Sequence, residues 1–244
     1  MKDNLKKERK MRTSILAFIM FFIMTSASLA DSNVYITQSG AALDLDITLD
    51  GNANAVGTST DRTLLTGANL DVDIDLIGAT NTITGDFIGT GEAGTDDLKI
   101  NQTGSTNTTA LNVGASASVD DVKIIENRTG SSGVTSYTIG SAVTVQDVSV
   151  TVDVIGDDID LTLIENSSSS GSDKTTDIDI GTDSDDVDII VTHTGAGAHK
   201  TKLLCTGACG TSDFTFSQTG ANSTDVDLTV TNAAGSDVLI TITD

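Results

Sequence analysis

Residues 98–107 read Leu98-Lys99-Ile100-Asn101-Gln102-Thr103-Gly104-Ser105-Thr106-Asn107, and the reading of this stretch decides the fold. Apolar and polar side chains alternate up to Gln102, so one face is dry and the other wet, as a half-buried strand requires. Gly104 then lets the backbone turn tightly with no Cβ in the way. Two other stretches follow the same order of strand, Gln, one residue and Gly. They are Val34-Tyr35-Ile36-Thr37-Gln38-Ser39-Gly40 and Phe214-Thr215-Phe216-Ser217-Gln218-Thr219-Gly220. A divergent copy runs from Val187 to His193-Thr194-Gly195, with His in the Gln place. Looser copies end on Glu126 and Glu165.

Alternation continues through Leu43–Asp50, Leu70–Leu76, Val148–Val154 and Asp225–Val230. Turn clusters such as Gly78-Ala79-Thr80-Asn81 and Gly130-Ser131-Ser132-Gly133 punctuate it. No long stretch keeps a 3.6-residue apolar period, so the chain is predicted to be all-β. The glycines at 104, 130, 171, 195 and 220 are 26, 41, 24 and 25 residues apart, and Gly40 precedes Gly104 by 64. If 41 holds two units and 64 holds three, the unit is 20–26 residues and the chain holds about nine. One strand–turn–strand rung cannot bury its own apolar face, but a stack of rungs can. The predicted architecture is therefore a β-solenoid, with inward Gln and Asn at equivalent heights able to form amide ladders.

Composition agrees. The 244 residues include no Pro, no Trp, two Tyr, six Phe and 23 Gly, and hydrophobic residues make up 38%. A core is available, built from Val, Ile, Leu and Ala. An antibody-like sandwich leans on Trp, Tyr and Pro that are missing here. A stack also has no place for Pro, because every rung donates its backbone N–H groups to a neighbour. A net charge of −22 argues against nucleic acid as a partner.

Residues 1–30 read as a signal peptide. Lys2, Lys6, Lys7, Arg9, Lys10 and Arg12 precede an apolar run from Ile15 to Met24, and Ser28-Leu29-Ala30 supplies small residues for cleavage after Ala30. The mature chain, residues 31–244, is expected to be exported, with 7 bases against 33 acids.

These features together resemble the curlin repeat, which has Ser, five residues, Gln, one residue, Gly, two residues and Asn. Ser32, Gln38 and Gly40 match its first half, as do Ser212, Gln218 and Gly220. Gln102, Gly104 and Asn107 match the Gln-Gly-Asn part, and Gly78 and Asn81 keep its spacing. The resemblance implies secretion as an unfolded chain through an outer-membrane pore. It implies assembly with a nucleator into cell-surface, amyloid-like fibres for adhesion and biofilm matrix. The end strands, Val34–Gln38 and Val238–Asp244, show no obvious cap, so copies are expected to stack head to tail.

Candidate chemistry is sparse, and no enzyme activity is expected. Of the two histidines, His193 takes a ladder place and His199 is expected in a solvated turn. Cys205 and Cys209 in an exported chain are expected to form a local disulfide. No cofactor is expected; calcium is the alternative that the acidic runs leave open. Asp50-Gly51-Asn52-Ala53-Asn54 mimics the opening of a calcium loop, with Ala55 where Gly is needed. A non-polymerising exported adhesin or cation-binding module is the second function class.

Overall fold

A computed structural model describes residues 31–243, apart from 40–42, 59, 61, 68, 90–95, 115–121, 141–146, 167–172, 182–185, 196, 207–208, 210, 221–222, 232–234 and 236. Residues 1–30, read above as a signal peptide, and Gly40 therefore lie outside the described residues, as do Gly171 and Asn222.

Every described element is a strand, and the strands form two sheets. In stacking order, one sheet holds β1 (Ser32–Val34), β4 (Ala53–Val56), β7 (Thr80–Gly89), β9 (Thr106–Val113), β11 (Ser132–Ile139), β13 (Asp158–Asn166), β15 (Asp186–Thr194), β17 (Thr211–Thr219) and β19 (Asp237–Thr243). Two short strands, β2 (Thr37–Ser39) and β5 (Thr63–Gly67), belong to the same sheet: β2 pairs β5, and β5 pairs β7. The other sheet holds β3 (Asp44–Asp50), β6 (Asp71–Ile77), β8 (Asp96–Thr103), β10 (Val122–Thr129), β12 (Val148–Ile155), β14 (Lys174–Ile180), β16 (Ala198–Cys205) and β18 (Ser223–Val230). The chain alternates between the sheets, and every neighbouring pair is parallel. The fold is the β-solenoid that the alternation predicts.

Register sets the true period. Asp44 pairs with Asp71, Asp71 with Asp97, Val122 with Val148, and Lys174 with His199. Most steps are thus 25 to 27 residues. Among the described residues, eight two-strand rungs follow one leading half-rung, rather than about nine units of 20–26. The physical reason lies in the marker glycines. Gly104 and Gly130 follow strands of the second sheet, whereas Gly195 and Gly220 follow strands of the first. Intervals between the two sets contain an extra half-rung, which shortens any unit inferred from them.

The inward rows of both sheets make one continuous core. Ile47, Ile74, Ile100, Val152, Ile178 and Leu203 are all buried, as are Leu161, Ile189 and Phe214 opposite. Each fully buried side chain of this size stabilises the stack by about 1.5–3 kcal/mol. Outward positions along β12, β13 and β15 are mostly Asp, Asn, Thr and Ser, with Ile155, Ile164 and Ile190 as apolar exceptions, so the alternation largely maps onto burial.

Candidate functional site

The stacking machinery is concentrated at the tight turns between the two strands of each rung. Gly51, Gly78, Gly104, Gly130 and Gly156 stand above one another there. A Cβ on Gly104 would lie 1.9 Å from the Gly78 carbonyl oxygen, and a Cβ on Gly130 would lie 1.9 Å from that of Gly104. These residues must be glycine because the backbones touch. Gly220 is glycine for another reason: its φ is +77°, and no neighbour crowds it.

Three residues after Gly51, Gly78 and Gly104 come Asn54, Asn81 and Asn107, all buried. Asn54 Nδ2 donates to Asn81 Oδ1 at 3.0 Å, and Asn81 Nδ2 donates to Asn107 Oδ1 at 2.9 Å. Each amide also donates to a turn carbonyl of the next rung: Ile77 at 2.9 Å, Thr103 at 3.0 Å and Thr129 at 3.2 Å. Those carbonyls also accept the N–H of Gly51, Gly78 and Gly104. This is an amide ladder, and Gly-x-x-Asn is its sequence signature.

The ladder is not the one expected from Gln38, Gln102 and Gln218. Gln102 lies on β8 in the second sheet, whereas Gln38 and Gln218 lie on β2 and β17 in the first. Gln102 is flanked in register by Leu76 and Arg128. It bonds across the core instead, donating to Thr108 O and accepting from Thr109 Oγ1, both at 3.3 Å. Gln38 is exposed and Gln218 buried. Between them in the same column come Leu65, Phe87, Val113, Ile139, Glu165 and His193. Ser32 and Ser212 do share the Asn column, but Gly133, Ile159 and Val187 separate Ser212 from Asn107. Within residues 50–54, which open like a calcium loop, the Asn54 amide nitrogen is taken up in the ladder.

Where the ladder stops, a buried charged cluster begins. Gly133 stands next in the Asn column, and a Cβ there would meet the Arg128 guanidinium at 2.5 Å. Arg128 Nη1 donates to Thr135 Oγ1 at 2.7 Å, and Thr135 donates to Glu126 Oε1 at 2.9 Å. Thr109 and Tyr137 also donate to Glu126, at 3.0 and 2.8 Å. Burial lowers the Arg128 pKa. Burial, with Glu126 beside it, pushes the Tyr137 hydroxyl well above its ordinary value.

A second polar strip occupies the later rungs. Glu165, His193 and Gln218 are consecutive in one column of the first sheet. Lys174 and Thr176 of β14, with His199 and Thr201 of β16, belong to the same strip, and all seven side chains are buried. His193 Nε2 is 3.2 Å from Glu165 Oε2 and 3.1 Å from Thr176 Oγ1. Lys174 Nζ is 3.4 Å from His199 Nε2, and Gln218 donates to Thr201 Oγ1 at 3.2 Å. The two imidazoles meet edge to face at 5.4 Å. Desolvation decides the protonation: it raises Glu165 to about 8 and lowers His193 to about 3 and His199 to about 4. At neutral pH the His193–Glu165 pair is therefore an uncharged contact. His199 belongs to a buried strand, not to the solvated turn expected for it.

The outer faces offset much of the acid with partners one rung away. Asn101 donates to Asp75, and Asn127 donates to Asn101 at 2.8 Å. Asn112 and Arg62 both donate to Asp86, at 2.8 and 3.0 Å. Lys202 pairs with Asp177 at 2.9 Å. In contrast, Asp160, Asp188, Asp213 and Asp237 follow one another in register on the first sheet with no base between them. Cys205 and Cys209 are joined by a disulfide that closes the turn after β16, and both are buried. Among the described residues, no group of three or more His, Cys, Asp or Glu is placed to hold a metal ion.

No family model, curated protein or solved structure matches this chain.

Proposed function

We propose that the chain is an exported structural subunit of a curli-type extracellular fibre, serving adhesion and matrix formation. Its partner is another copy of itself, and a secretion pore and a nucleator are the accessory partners the reading implies. The observation that carries the reading is the edge strand β19. Among the described residues it pairs with β17 alone, and Val238, Leu239, Ile240 and Ile242 on it are 45–59% exposed. An open parallel edge of this kind is a template for another strand.

The first half-rung of a second copy is suited to that edge. In the continuing register, Val34 stacks on Val238, Ile36 on Ile240, and exposed Tyr35 beside exposed Leu239. A heterologous contact of this type does not close and so builds a filament. The second sheet is less suited, because its edges would set Asp225 and Asp227 against Asp44 and Asp46. The first sheet therefore carries the joint.

Negative-stain electron microscopy of residues 31–244, diluted from denaturant at physiological salt, tests the proposal. Unbranched filaments are expected. Short discrete rods that persist would replace it with a non-polymerising adhesin or cation-binding module, favoured by the unrelieved Asp160–Asp188–Asp213–Asp237 column.

A further inference from the structure

The chain holds two histidines, and both lie inside the core of the later rungs. We propose that the buried strip of Glu165, Thr176, Lys174, His193 and His199 is an acid-opened latch, holding β13–β17 closed at neutral pH and releasing them when acid charges the imidazoles, while the earlier rungs stay stacked.

The geometry gives the latch its two settings. Closed, the strip is uncharged around His193: Glu165 faces it from β13, Thr176 from β14 and Gln218 from β17, and the His199 ring meets its edge from β16. Lys174, also on β14, supplies a positive charge close to both rings, and Asp173 at the start of that strand is exposed. A proton on either imidazole would sit next to Lys174 without water. Glu165 cannot compensate, because burial keeps it protonated up to about 8. Open, both rings reach solvent and take up protons near 6.5.

The sign follows from linkage. Below pH 6.5 the open form binds two protons that the closed form refuses until about 4 and 3. Each favours opening about ten-fold per pH unit. Glu165 opposes them, since its closed form holds a proton that the open form releases above 4.5. The net effect is about a ten-fold rise in the opening constant per pH unit between 6.5 and 4.5. The earlier rungs contain no imidazole, so they have no counterpart to this slope.

Hydrogen–deuterium exchange on soluble residues 31–244 between pH 6.5 and pH 4.5, normalised for intrinsic rates, tests the latch. Protection in β13–β17 is expected to fall about ten-fold per unit while β6–β11 hold theirs. The variant His193→Gln/His199→Gln, which puts at 193 the residue found at Gln218, is expected to abolish the slope. Where that variant fails to fold, the imidazole resonances of the unmodified chain serve instead. They should stay neutral until β13–β17 protection is lost. Uniform loss of protection across all rungs would overturn the latch, as would an unchanged slope in the variant or imidazoles that titrate near 6.5 with protection intact.

Discussion

The rungs built on β4, β7 and β9 and those built on β13, β15 and β17 share one register and one fold, yet they are held by different chemistry. In the earlier rungs the Asn54–Asn81–Asn107 ladder and the touching glycines lock the tight turns with neutral amides. In the later rungs the same inward column becomes Ile159, Val187 and Ser212, and the polar groups move to the other end of the strand as Glu165, His193 and Gln218. Outside, Asp75 and Asp86 of the earlier rungs have Asn or Arg partners one rung away, although Asp44 stacks on Asp71 there, whereas in the later rungs four acids in a run, Asp160, Asp188, Asp213 and Asp237, face one another. A stack needs only matching rows to fold. What fills those rows decides whether a rung responds to pH and salt.

Substitutions can break this contrast, and the largest effect is expected at the glycine column. Gly104→Ala would drive a Cβ into the Gly78 carbonyl and is expected to cost about 4 kcal/mol or more in urea unfolding. Gly220→Ala meets only an unfavourable φ and should cost about 1–2 kcal/mol. Glu165→Gln comes next. The Glu165 pKa is raised on folding, so its stabilisation is complete below 4.5 and is lost as pH rises toward about 8. Between pH 6.5 and pH 8, where both imidazoles are neutral folded and unfolded, unfolding free energy should fall by about 1.4 kcal/mol per unit in the native chain, and that slope should vanish in the variant.

Asn81→Val converts a ladder rung to the residue type found at Val187. It should cost about 3 kcal/mol by the same denaturation, because the Asn54 amide and the Asn107 oxygen each lose a buried partner. Reducing the Cys205–Cys209 disulfide should remove about 2 kcal/mol, the modest value of a short loop, seen as a lower thermal midpoint under reductant. The smallest effect is expected from Asp188→Asn, which relieves like charges on both sides. It should stabilise by about 0.5 kcal/mol at low salt and by less at high salt.

Most of the architecture was legible because alternation is a local signal. Leu70–Leu76 and Val148–Val154 announce their buried faces residue by residue. The rung length was less legible because Gly104 and Gly195 look alike in sequence but close opposite ends of a rung. The Asn ladder was half visible. Gly78, Asn81, Gly104 and Asn107 keep the repeat spacing, but Gly51 and Asn54 resembled a calcium loop. Gln102 and Gln218 share a motif and not a column, and only register separates them. The Glu165–His193–Gln218 run could have been found as three ladder-place residues in successive copies. Its partners Lys174 and His199 could not, because they come from the opposite sheet.

Fibre diffraction from aligned filaments of residues 31–244 tests the stacked assembly most directly. Rungs continuing from copy to copy predict a strong meridional reflection at about 4.8 Å, with strands perpendicular to the filament axis. Filaments whose 4.8 Å spacing lies on the equator, or a preparation that never yields filaments to align, would contradict it.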